Sequence, residues 1–390
     1  MTPGDRTGIE DTLVRMVERM SRGSMSRKEF LKRATALGLS VPAVATILAA
    51  CGTEEAETAK SPEPLSTTLP AELSLYNWSE YISPDAIKGF EKKYGIKVVE
   101  SYYDSNEALL AKLEAGATGY DVIVPDGMTV HIMLKMGLIQ PLHMEYIPNI
   151  KNAMPSLQKP EYDPETDGNK YSIPYQWGTT GIGHRKDLLP EPVTSWESMW
   201  DPAHKGEMTM LNDIRDTLGA GLLSLGYSLN TTSQDELDQA LEKLIEQKPL
   251  VKAYDSINIK RSLVSGTPLC HGWSGYVLQA YDELGPEKLE YVLPSEAFAM
   301  YCDNMAIPTT AASPYAAHLF MDYVLDPKVA GQIVDYTWYS SPVPEAEQYS
   351  DPLVWDFVPS EETLARGELI QDVGEFRASY DEAWRQLRSA

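Results

Sequence analysis

The 390-residue chain contains no GxSxG turn, no HExxH helix, no GxGxxG loop and no Gly-Lys pair of a phosphate-binding loop. It therefore lacks the usual signatures of serine hydrolysis, zinc proteolysis and nucleotide binding. Cysteine is scarce. Three stand at 51, 270 and 302 with no CxxC pair, which excludes a disulfide scaffold and leaves no motif for zinc or dithiol redox work. No metal and no cofactor are expected. Positive charge is also short: 33 Lys and Arg face 57 Asp and Glu, a net of −24. Residues 1–50 hold 8 basic and 5 acidic side chains, so the rest carries 25 against 52. Such a surface repels nucleic acid and anionic lipid and attracts cations. Acidity also serves solubility, so charge alone names no ligand. The six histidines, at 131, 143, 184, 204, 271 and 318, are scattered. His271 beside Cys270 and Ser274 comes nearest to a nucleophile cluster, but no identifiable orienting acid accompanies it, so a structural role is the stronger reading.

Long apolar runs are missing except for one. Ala34 to Ala50 read "ATALGLSVPAVATILAA" without a charge, after a polar and basic start. The run is short for a membrane span, contains Pro42 and suits a signal-peptide core. It ends in Leu48-Ala49-Ala50-Cys51, which resembles a bacterial lipobox. Residues 1–50 then form a signal peptide, and Cys51 becomes the lipidated mature N-terminus. "SRKEFLK" (26–32) resembles a twin-arginine export motif with Lys28 in place of the second Arg, which leaves the export route open. Residues 53–70 are rich in Glu, Thr, Ser and Pro, so 51–71 read as a lipidated cysteine and a disordered tether. The expected location is the periplasmic space or the outer face of the cell membrane, with the membrane touched only through the lipid anchor.

From residue 72 the pattern changes. "LSLYNW" alternates as a strand, Ser83-Pro84 opens a helix with Ile87, Phe90 and Tyr94 on one face, and Gly95 stops it. "IKVVESYY" (96–103) predicts a second strand. Asp104 with Glu107 predicts a capping box before Leu109, Leu110 and Leu113. "DVIVP" (121–125) is a third strand, followed by a helix over 128–136. The order β-α-β-α-β-α predicts a parallel sheet wrapped by helices. In such sheets ligands bind outside the carboxyl ends of strands.

Large aromatics and carboxylates fall at those ends. "NWSEY" puts Trp78, Ser79, Glu80 and Tyr81 after the first strand, where a tight turn would normally take small polar residues. Aromatic faces beside a carboxylate suit a cation. A core tryptophan beside a solvated glutamate is the competing reading. Asp126 and Met128 follow the third strand. Asp213, Arg215 and Asp216 follow "EMTMLN", where Asp213 is also an ordinary N-cap. Trp273 sits at another strand-to-helix turn, Tyr301 and Asp303 lie on an apolar strand, and Tyr339 lies in a loop. An unpaired carboxylate on an apolar strand is costly, so Asp303 needs a partner.

The ordered set "YNWSEYISPD", "GYDVIVP", "YSIPYQWGTTGIG" (171–183), "SWESMWDP" (195–202), "NDIRD" (212–216), "GWSGY" (272–276), "DNMAIP" (303–308), "YSSPVP" (339–344) and "GELIQDVG" (367–374) resembles the spermidine/putrescine-binding proteins of bacterial ABC transporters. The likeness covers nearly all of 72–390. It implies an α/β, two-lobed type II periplasmic-binding-protein fold, each lobe a mainly parallel sheet flanked by helices, with ligand in the cleft between. Lobe one would hold 72–178 plus 304–345, and lobe two 179–303 plus 346–390. By the same resemblance, Trp78 and Tyr81 belong to an aromatic box with Ser79 and Glu80 close by. Trp273 stacks on the methylene chain, Asp303 holds one ammonium, and Asp213 and Asp216 match a pair of positions where relatives carry acids; Asp126, after the third strand, is a further candidate contact. Tyr301 and Tyr339 complete the box, and a ligand-contacting Gln falls on Ile370 or, with a one-residue slip, on Gln371. Asp126, Met128 and Tyr276 depart from the family pattern, so the particular polyamine does not follow. The implied protein is a monomeric, non-enzymatic carrier that delivers a polyamine to ABC transporter permease subunits and has no nucleic-acid partner. Other readings are a carrier for another cationic solute and a lipid-anchored enzyme on the same fold.

Overall fold

The computed structural model describes residues 65–164 and 170–390. The expected leader, Cys51 and the tether up to residue 64 lie outside the described residues.

The alternating opening segment forms β1 (Glu72–Trp78). Helix α1 (Pro84–Tyr94) starts where Ser83 Oγ accepts from Asp85 N and stops at Gly95, whose φ of 70° is left-handed. Next come β2 (Lys97–Tyr103) and α2 (Asn106–Glu114). The cap of α2 is Ser105, which accepts from Ala108 N, and not the expected Asp104. Serine one residue later leaves Glu107 in the first turn. β3 shrinks to Val122–Ile123 and leads through Asp126, an N-cap, into α3 (Gly127–Lys135).

The second half is built from β4 (Ser172–Arg185), β5 (Met208–Met210), α4 (Ile214–Ser224), α5 (Gln234–Gln247), β6 (Val251–Tyr254), α6 (Ile259–Val264), β7 (Leu269–Trp273), α7 (Ser274–Leu284), β8 (Leu289–Val292) and β9 (Phe298–Ala306). Then follow α8 (Pro314–Val324), α9 (Pro327–Thr337), β10 (Gly367–Leu369) and α10 (Arg377–Ser389).

The strands join one sheet in the order β2-β1-β3-β9-β4-β7-β5-β6, with β10 on β9 and β8 on β4. β1 pairs parallel with β2 and β3, and β5 pairs parallel with β6 and β7. The two parallel groups are welded by the antiparallel β4 and β9. β4 pairs with β9 from Ser172 to Thr180, with β7 from Thr180 and with β8 from Ile182, so it passes from one group to the other.

One core gathers side chains from 73–175 and 305–346, with Phe90, Ile173 and Phe320 fully buried. Another gathers 182–299 and 370–387 around Trp196, Leu218 and Tyr380, and α3 contributes Met128 and Ile132 to it. Among the described residues no helix is long and apolar enough to cross a membrane.

Candidate ligand-binding site

The carboxyl ends of β1, β3, β5 and β7 converge on a cavity of about 690 Å³, mouth included. Its aromatic lining is Trp78, Tyr81, Trp273, Tyr276, Tyr301 and Tyr339. Tyr339 is the hub: its ring meets Tyr81 at 5.1 Å, Tyr276 at 6.0 Å and Tyr301 at 6.4 Å, each edge to face. It packs so closely on Gly275 that a Cβ there would collide with the ring. Trp78 is half-buried, donates its indole N–H to Val124 O at 3.0 Å and leans on Tyr103. The Tyr301 hydroxyl is buried beside Ser274 without a completed hydrogen bond.

Carboxylates make up the polar lining. Asp303 accepts from the Tyr81 hydroxyl at 2.6 Å. Asp216 accepts from Thr180 Oγ1 at 2.6 Å and from Trp273 Nε1 at 2.8 Å. Asp213 and Asp126 cap α4 and α3, accepting from Asp216 N and Thr129 N. Burial pushes the Asp303 carboxyl up to about 7, despite the Tyr81 hydroxyl. Burial likewise raises Asp126, Asp213 and Asp216, and the neighbouring Asp216 carboxyl adds to the rise at Asp213. One cation, Arg215, lines the same space. Its guanidinium is turned into the scaffold, donating to Gln371 O at 2.7 Å, Asn230 Oδ1 at 2.8 Å and Leu229 O at 3.1 Å. Arg215 forms no ion pair with these carboxylates among the described residues, although its charge favours the ionised forms of Asp126 and Asp216.

Nine residues singled out from sequence line this space: Trp78, Tyr81, Asp126, Asp213, Asp216, Trp273, Tyr301, Asp303 and Tyr339. Three do not. Ser79 and Glu80 are exposed. Glu80 has a φ of 56°, and it borders a separate surface pocket with Tyr336 and Trp338. The turn carries its aromatics inward and its polar residues outward. Gln371 is also exposed, because its backbone is held by Arg215 and Asn230 while Ile370 faces the cavity. Asn106, Glu107 and Arg215 line the cavity but were not read as site residues. All three sit at strand-to-helix turns, so the strand-end rule applied to every strand points to them.

Cys270 and Cys302 are both free, and burial raises each thiol to about 12. His271 is fully buried, lowered to about 3 by burial, and takes its place in the core against Trp196.

Residues 85–356 match the family model for bacterial extracellular solute-binding proteins. The chain belongs to that family. It is 35% identical over 323 residues to the spermidine/putrescine-binding periplasmic protein of Escherichia coli K12, covering 81% of this chain and 91% of that one. It is 34% identical over 310 residues to the putrescine-binding periplasmic protein PotF of the same organism, covering 74% and 82%. The TpPotD lipoprotein of Treponema pallidum superposes with a TM-score of 0.75 at 32% identity, covering 82% of this chain and all of that one. The architecture is thus the two-lobed periplasmic-binding-protein fold expected from sequence.

Proposed function

We propose that this chain is a lipid-anchored, extracytoplasmic carrier that captures a polyamine of the putrescine or spermidine class and hands it to an ABC importer. The observation that carries this reading is the group of four carboxylates, Asp216 and Asp303 buried and Asp126 and Asp213 half-buried, in an aromatic cavity whose one arginine donates mainly to the scaffold. An excess of carboxylates over cations in an aromatic cavity suits a positively charged ligand. Trp78, Tyr81, Trp273, Tyr301 and Tyr339 offer ring faces for ammonium groups and flanks for methylenes. The names of the relatives point the same way.

The energetics suit a polyamine. Four methylenes bury about 3 kcal/mol at ~0.8 each. Each cation–π contact adds ~0.5–2 kcal/mol. The carboxylates mainly offset the cost of stripping water from each ammonium. Micromolar affinity needs only about 8 kcal/mol.

The two parallel strand groups would be lobes of 72–178 plus 304–345 and 179–303 plus 346–390, closing on the ligand as a clamp. Cys51 would carry the lipid, a reading helped by the Treponema pallidum neighbour, which is a lipoprotein. The deciding experiment is calorimetric titration of the chain with putrescine, cadaverine, spermidine and spermine. Saturable heat with at least one of them is expected. Absence of heat with all four overturns the reading.

A further inference from the structure

Consecutive residues of a strand put their side chains on opposite faces. Tyr175 and Gln176 of β4 break that rule. Pro174 pairs with Asn304 and Gln176 with Asp303, which leaves Tyr175 as an extra residue in the ladder. A bulge of this kind lets two successive side chains reach the same side. Both reach the carbonyl of Tyr81, where the Tyr175 hydroxyl donates at 2.7 Å and Gln176 Nε2 at 3.1 Å.

The far side of the same amide is also used. Gln176 Oε1 accepts from the Thr337 hydroxyl at 2.5 Å. Thr337 lies two residues before Tyr339, and its carbonyl accepts from Gln279 Nε2 of α7 at 3.0 Å. Gln176 is 1% exposed and Thr337 fully buried, so water cannot replace these bonds. A hydrogen-bonded chain thus runs from Gln279 through Thr337 and Gln176 to Tyr81, and on through the Tyr81 hydroxyl to Asp303.

We propose that Gln176 is a positioning residue of the cation site: it sets the spacing of Tyr81 and Tyr339, aims the Tyr81 hydroxyl at Asp303 and ties that pair to α7. The inference rests on the polyamine reading for its ligand. An amide suits the task because it donates at one end and accepts at the other. A hydrophobic side chain of equal volume would fill the space and do neither. The ionisable groups that face Asp303 are the Asp126 and Asp216 carboxyls and the surrounding tyrosine hydroxyls, Tyr81, Tyr301 and Tyr339 among them. Of these, the Tyr81 hydroxyl donates to it.

The test uses Gln176→Met and Thr337→Val in the full chain. Three quantities are measured: putrescine affinity from pH 5.5 to 8.5, the melting temperature, and the carboxyl-carbon NMR titration of Asp303 without ligand. Gln176→Met is expected to weaken putrescine about tenfold at pH 7, the worth of one or two buried hydrogen bonds. It should also move the Asp303 midpoint upward, because the aimed hydroxyl favours the charged form. Thr337→Val should act in the same direction, and the double variant should lose less than the sum. If Gln176→Met does not fold, Thr337→Val carries the test. A lower melting temperature with unchanged affinity and an unmoved Asp303 midpoint makes Gln176 a packing residue and overturns the proposal. Should the native chain bind no polyamine, the functional reading falls, while the ligand-free Asp303 titration still decides the role of Gln176.

Discussion

The indole N–H of Trp273 donates to Asp216 Oδ2 at 2.8 Å, while the Thr180 hydroxyl donates to the other oxygen at 2.6 Å. Both oxygens of Asp216 are therefore engaged, and one of them orients an aromatic wall. Asp216→Asn keeps an acceptor for one donor and turns an amide N–H toward the other. The expected outcome is a tilted Trp273 and an affinity loss of about 1–3 kcal/mol. Tryptophan emission and a titration on the same variant check it. Full affinity with unaltered emission would show that Trp273 is held by packing alone.

Asp303→Asn should weaken polyamine binding by at least ~2 kcal/mol, since it removes a desolvated charge partner. It should not lower stability at neutral pH, because burial already opposes the charged form. A calorimetric titration and a thermal melt separate the two effects. A stability loss with intact affinity would reassign Asp303 to the scaffold.

The raised Asp303 carboxyl also fixes a pH dependence. Its folded value of about 7 lies above the unfolded value of about 3.9. The folded state then binds more protons between those values, so stability falls as pH rises. The ligand-free protein should melt lower at pH 8 than at pH 5. A bound dication favours the ionised form, so binding should release protons and tighten over the same interval. Titrations in buffers of different ionisation enthalpy read the released protons. Unchanged heat across buffers at pH 6.5 would contradict the assignment.

Trp78 donates its indole N–H to Val124 O and also lines the cavity. Trp78→Phe keeps a π face and loses the bond, so it should melt lower and bind nearly as well. Trp78→Leu loses both, and affinity should drop by ~1–2 kcal/mol. Equal affinities for the two variants would remove Trp78 from the site.

Glu80 stands at φ 56°, a conformation that costs a residue with a Cβ roughly 1 kcal/mol. Glu80→Gly should leave affinity unchanged and raise or preserve the melting temperature. A marked affinity loss would bring Glu80 back to the ligand.

The sequence alone determined most of the local elements and the kinds of side chain at the strand ends. Alternation, Ser83-Pro84 and Gly95 specified the first strand and helix, because caps and periodicity act over a few residues. Trp78, Asp213 and Trp273 were legible as lining one cavity because strand ends collect ligands in parallel sheets, and Tyr81, Asp303 and Tyr339 join them there. What tertiary structure decided was direction. Glu80 and Tyr81 are neighbours in the chain, and the left-handed turn at Glu80 sends one outward and buries the other. Arg215 lies between two acids in sequence, but its partners, Gln371 O and Asn230, come from distant loops that only the folded chain brings near. The bulge at Tyr175 depends on the β4–β9 register, which is set by pairing across more than a hundred residues, so local pattern could not reveal that Gln176 reaches Tyr81.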